Sequence, residues 1–130
     1  MPEKRVEVIL TRLLAGYLAT PILLVDPEGT LLFFNEPAEV LLGKRFDETG
    51  EMPASAWSAL FAPTDRLGLP LPAHEFPLLS ALAERRPAHR ALWIRGLDGI
   101  RRYIDVMALP LIGLEDLSLG VVAALWETQP

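Results

Sequence analysis

The chain has 130 residues, a net charge of −5 at pH 7 and a pI near 5.0. That length gives one domain able to bury about two-thirds of its unfolded surface, and 51% hydrophobic against 22% charged residues excludes a disordered chain. The lack of cysteine excludes disulfides, thiolate metal sites and cysteinyl-flavin chemistry, and the acidic balance argues against a nucleic-acid partner.

Val8 to Val25 is leucine-rich behind a basic start, as in a secretory leader, but Glu3, Glu7, Arg12 and Pro21 break that pattern. Val6, Leu10, Leu13, Leu14, Tyr17 and Leu18 instead recur at helical spacing. They predict an amphipathic helix over residues 1–18, no membrane span and a cytoplasmic protein, with one domain over 19–130. Pro21 bars continuation of the helix.

Residues 21–26 form a short apolar run that predicts a strand. Asp26-Pro27-Glu28-Gly29-Thr30 is a turn: proline presets φ, glycine supplies a positive φ, and the Asp side chain can bond the backbone two residues on. A second strand over 30–35 completes a hairpin. Asn35 before Glu36-Pro37-Ala38 predicts a helix start, and Gly43 its stop. Lys44 to Ala73 is less regular, with a helix over 53–61 and a proline-rich loop over 62–73. A helix follows over 75–85. Strands over 89–97 and 100–110 flank Asp98-Gly99, a two-residue hairpin signal. A last strand spans 118–127. The order predicts an α+β fold with an antiparallel sheet and helices inserted in its middle.

Centring the second hairpin on Asp98-Gly99 pairs Leu97 with Ile100, Trp93 with Ile104 and Ala91 with Val106. One face then carries His89, Ala91, Trp93, Arg95, Arg102, Ile104, Val106 and Ala108, facing the helices. The other carries Arg90, Leu92, Ile94, Arg101, Tyr103, Asp105, Met107 and Leu109. This second face is more apolar than a solvated one needs to be.

The sequence has no phosphate-binding glycine loop, nucleophile elbow or metal-ligand spacing. His74 precedes a helix and His89 begins a strand; neither spacing points to a metal or haem ligand. Asp105 suits a cross-strand ion pair with Arg90 or Arg101 better than a general base. Asp26 and Asn35 are explained as turn and cap residues. Trp57, Phe61, Phe76 and Trp93 either line a pocket or fill a core.

The chain resembles the Per-Arnt-Sim (PAS) sensor-domain family. The matching residues are Pro21 to Gly29, Asn35-Glu36-Pro37-Ala38, Leu41-Leu42-Gly43, Leu69-Pro70-Leu71-Pro72 with Glu75, Pro77-Leu78 and Ala81-Leu82, then Asp98-Gly99, Arg102, Ala108, Pro110-Leu111 and Gly120-Val121-Val122. Together they run from about Leu18 to Thr128. The resemblance implies a five-stranded antiparallel sheet in order 2-1-5-4-3 with helices over one face, often with a small cavity between. Two departures stand out. The family often closes its last strand with Asp-x-Thr, where this chain has Trp126-Glu127-Thr128. Its photosensors need a reactive cysteine and its haem members a positioned histidine, so neither cysteinyl-flavin nor haem is expected here.

These observations predict a bacterial, non-enzymatic sensor or signal-transduction module. A small apolar ligand would lie among Trp57, Phe61, Phe76, Leu79, Trp93, Ile104 and Val106. With no kinase, phosphatase, cyclase or DNA-binding segment in the 130 residues, output is expected through a signalling partner such as a kinase, or through a longer chain. A homodimer is expected to form through Leu10, Leu13, Leu14, Tyr17, Leu92, Ile94, Tyr103 and Met107; the alternative is a monomer whose first helix folds back on its own sheet. A ligand-free adaptor is the rival function. A small enzyme on a cone-shaped α+β fold is a further alternative, disfavoured because the inward face offers no carboxylate.

Overall fold

Ile22-Leu23-Leu24-Val25 is apolar at every position because strand β1 (Ile22–Val25) is buried on both faces; the computed structural model describes residues 19–130. β1 pairs with β2 (Leu31–Phe34) on one side and β5 (Ser118–Glu127) on the other. β5 pairs with β4 (Arg101–Ile112), and β4 with β3 (Ala88–Arg95). All pairs are antiparallel, and the sheet order is β2-β1-β5-β4-β3, as the family resemblance implied. Gly120 on β5 has a positive φ of 113°, and a Cβ there would lie 2.0 Å from the Val25 carbonyl oxygen, so only glycine allows the two strands to meet.

The connection between β2 and β3 holds helices α1 (Glu36–Leu42), α2 (Phe46–Thr49), α3 (Ala54–Phe61) and α4 (Pro77–Glu84). α1 starts and stops where its sequence signals predict, with Asn35 as N-cap and Gly43 left-handed at its end. α2 lies in the stretch expected to be less regular. The helix expected over 75–85 is shorter, because a 3₁₀ turn over Ala73–Glu75 precedes it and Arg85 turns left-handed after it. Residues 1–18, with the expected amphipathic helix, lie outside the described residues.

Both sheet edges are blunted by the inserted segment. Leu31 of β2 exchanges two backbone hydrogen bonds with Met52, at 2.7 and 3.1 Å. Trp93 of β3 exchanges two with Thr64, both 3.0 Å. Each bridge occupies edge groups that would otherwise template another strand.

The β3–β4 register differs by one residue from the sequence expectation. Trp93 pairs with Tyr103, Leu92 with Ile104 and Ala91 with Asp105. The turn holds three residues, not two. Gly96 donates to the Ile100 carbonyl at 2.8 Å, Gly99 donates to the Gly96 carbonyl at 2.9 Å, and Gly99 has φ 84°. This is a turn closed by a left-handed glycine, the usual three-residue hairpin loop. The extra residue inverts β3 relative to β4. Leu92 and Ile94 therefore face the helices with Ile104, Val106 and Ala108. His89, Ala91, Trp93 and Arg95 belong to the opposite face, and Arg90 to the helix side, where it pairs with Glu75 at 3.4 Å.

Candidate functional site

The interior between helices and sheet is an aromatic-centred cluster. α3 places Trp57 and Phe61 one turn apart, and Phe76 enters just before α4. The Trp57 ring centroid lies 5.5 Å from that of Phe76 and 6.3 Å from that of Phe61. Trp57 is 1% exposed, and its indole N–H donates to the Gly29 carbonyl at 2.8 Å, so its one polar atom is satisfied. Ile104 and Val106 rise from β4 into the same cluster, and Leu79 packs against it partly buried. Six of the seven expected ligand-lining residues thus share one core. Trp93 does not: the three-residue turn sends it to the other side of the sheet.

Asn35 is the single buried polar side chain among the described residues. Its Oδ1 accepts from the backbone N–H of Ile22 at 2.9 Å and of Ala38 at 3.2 Å, and its Nδ2 donates to the Thr20 carbonyl at 2.9 Å. The cap residue read from the sequence therefore also ties α1 to β1. No group of three His, Asp or Glu side chains able to hold a metal occurs among the described residues. Beside this interior, a groove of about 470 Å³ runs between α2, α3 and the β3–β4 turn. Met52, Leu60 and Leu97 give it apolar walls, Lys44 and Glu48 its charges, and Arg95 borders it at the end of β3.

The outer face of the sheet carries Trp93 and Tyr103 in edge-to-face contact, with centroids 5.1 Å apart. The Arg101 guanidinium lies 5.6 Å from the Trp93 ring centre and donates to Thr64 Oγ1 at 2.9 Å. Asp105 takes His89 as its partner, at 2.8 Å, in place of Arg90 or Arg101. His89 also stacks on Trp126, with centroids 6.1 Å apart. Further along, Leu24, Leu32 and Leu119 form a second buried cluster, with Phe33, Leu111 and Val122 against it. Of the expected interface residues, Tyr103 and Met107 lie on this face. Leu92 and Ile94 do not, because the register puts them in the core. Leu10, Leu13, Leu14 and Tyr17 lie outside the described residues.

One feature escaped the sequence reading. Asp65-Arg66-Leu67-Gly68-Leu69 is a second copy of the Asp26 turn. Asp26 Oδ1 accepts from Glu28 and Thr30 N–H at 2.9 and 3.0 Å; Asp65 Oδ1 accepts from Leu67 and Leu69 N–H at 2.9 and 3.0 Å. The shared Asp-x-x-Gly spacing was the available signal. This loop stands beside Trp93: the indole N–H donates to the Arg66 carbonyl at 3.2 Å. A pocket of about 350 Å³ results, lined by Arg66, Leu67, Gly68, Trp93 and Arg101.

A five-stranded antiparallel sheet in order 2-1-5-4-3, with helices inserted between its second and third strands and packed on one face, is the PAS fold, and this chain has it. It is similar to the PAS domain of a Colwellia psychrerythraea protein, at 18% identity and TM-score 0.66, covering 93% of this chain and 97% of that one. It is similar to the PAS domain of nitrogen regulation protein NR(II) from Vibrio parahaemolyticus, at 16% identity and TM-score 0.64, covering 92% and 98%. The light-state dimer of the fungal blue-light photoreceptor Vivid aligns at 8% identity and TM-score 0.66, covering 98% and 97%. No family model and no curated protein sequence matches the chain.

Proposed function

We propose that this chain is a non-enzymatic sensory domain that passes its signal by protein contact, pairing with a second copy through the outer face of its sheet and acting on a signalling partner such as a kinase. The observation that carries this reading is the chemistry of that face. Met107, Leu109, Leu111, Val122 and Trp126 lie on it at positions where a solvated sheet would carry polar residues. Leu109 and Trp126 are exposed. The solved Vivid neighbour is a light-state dimer, which supports pairing as a use of this fold. The test is light scattering across a dilution series on the intact chain and on Met107→Glu/Leu109→Glu. A mass of two chains that the double substitution halves is the expected result. A single-chain mass throughout would overturn it.

A second reading is favoured by the groove beside the aromatic core: a small apolar ligand held between helices and sheet by Trp57, Phe61, Phe76, Leu79, Ile104 and Val106. The groove shares Met52 with the core, so it lies directly against the side chains that would hold such a ligand. Native mass spectrometry of protein purified from its host reads this directly. An added mass that Trp57→Leu releases supports it; the bare chain mass removes it.

A further inference from the structure

The two ends of β4 carry complementary surfaces that are unpaired among the described residues. At its start, Arg101 and Arg66 flank Trp93 in the 350 Å³ pocket. Neither arginine forms an ion pair among the described residues, although the chain is net acidic. Leu67 beside them is 86% exposed. At the far end of β4, the turn over Leu114–Asp116 presents Leu114, 88% exposed, followed by Glu115 and Asp116. Those carboxylates likewise form no ion pair among the described residues. Arg85 donates to the backbone carbonyl of Asp116 and holds the turn, leaving the side chains to solvent.

We propose that the Arg66–Trp93–Arg101 pocket receives the Leu114–Asp116 turn of a second copy of this chain. Arg66 and Arg101 meet Glu115 and Asp116 with opposite charge, which Asp65 in the pocket loop and Arg85 on the turn reduce without reversing, and each patch offers an exposed leucine; the pocket adds a tryptophan and arginines, residue types that dominate protein contacts. Strand addition is not the mode at this point, because Thr64 already occupies the Trp93 backbone. The patches sit at opposite ends of a 12-residue strand, roughly 35 Å apart at about 3.3 Å per residue, so one chain cannot close the contact on itself. The contact is head-to-tail, using different surfaces on the two copies. It is separate from the symmetric pairing proposed above, and it adds chains beyond two.

Sedimentation velocity over a concentration series tests it. The mass should grow past two chains at about 0.01 M salt and fall back at about 1 M, where the screening length shrinks from about 30 Å to about 3 Å. Arg66→Glu/Arg101→Glu alone, and Glu115→Arg/Asp116→Arg alone, should each weaken this growth by about tenfold or more, since each sets like charges against each other. Mixing the two variants should restore it, because each pocket then meets a turn of opposite charge. That recovery also shows both variants to be folded. No species beyond two chains, growth indifferent to the reversals, or a mixture no better than either variant would overturn the proposal. So would binding of an unrelated acidic peptide to the pocket without any self-association.

Discussion

Asp98 and Arg102 meet through two hydrogen bonds at the β3–β4 turn, Nη2 to Oδ2 at 2.9 Å and Nη1 to Oδ1 at 3.2 Å. The pair fits because Gly96 has no side chain: a Cβ there would lie 2.5 Å from both Arg102 Nη1 and Asp98 Oδ1. Beneath it, Leu97 donates its N–H to the last helical carbonyl of α1, Leu42, at 2.6 Å. The turn that sets the sheet register is thus also the point where α1 is anchored.

Arg102 holds the Asp98 carboxyl at about 2, below its ordinary 3.8, chiefly by hydrogen bonding, with the Ile100 N–H adding to it. A depressed carboxyl pKa stabilises the folded chain fully above the unfolded value. That contribution is lost as pH falls through the folded value, so the window is about pH 4 down to about pH 2. The stability difference between the chain and Asp98→Asn, from denaturant titrations, should be constant above about pH 5 and shrink below pH 4. A difference that does not change with pH would mean that the pair is open in solution.

The two tryptophans on opposite sides of the sheet should respond differently to truncation. Trp57→Ala empties the middle of the interior and leaves the Gly29 carbonyl without its donor, which should cost about 3–5 kcal/mol. Trp93→Ala removes a half-buried ring from the outer face and should cost about 1 kcal/mol. Urea unfolding of both variants measures this. Equal losses would put Trp93 back in the interior and restore the two-residue turn.

Asn35→Ala should cost about 2–4 kcal/mol, since it removes a helix cap and strands buried donors. Asn35→Asp keeps the acceptor but loses the donor to Thr20, so it should recover part of the loss. Thermal melts order the three chains. An alanine variant as stable as the parent would show that water replaces the side chain.

The start and stop of α1, and the first turn, were legible because they are set within a few residues. Asn35 finds its Ala38 partner three positions on, Gly43 supplies the left-handed stop, and Asp26 bonds N–H groups two and four residues away. The phase of β4 was legible too, because Ile104, Val106 and Ala108 alternate with Tyr103, Asp105 and Met107. The phase of β3 was not. Leu92 and Ile94 on one side, and Ala91 and Trp93 on the other, are both apolar enough to face a core. With period-two alternation equally satisfied by either, the choice passed to the turn, and one residue there moves every side chain of the strand to the other face. The sequence offers Asp98-Gly99 as a two-residue turn. It becomes a three-residue turn where Gly96 leaves room for the Asp98–Arg102 pair within the hairpin and Leu97 reaches the end of α1, and that second contact exists only once helix and hairpin have come together. The pocket at Trp93 was hidden for the same reason: Arg66 and Arg101 are 35 positions apart, and only pairing of Thr64 with the sheet edge brings them to one ring.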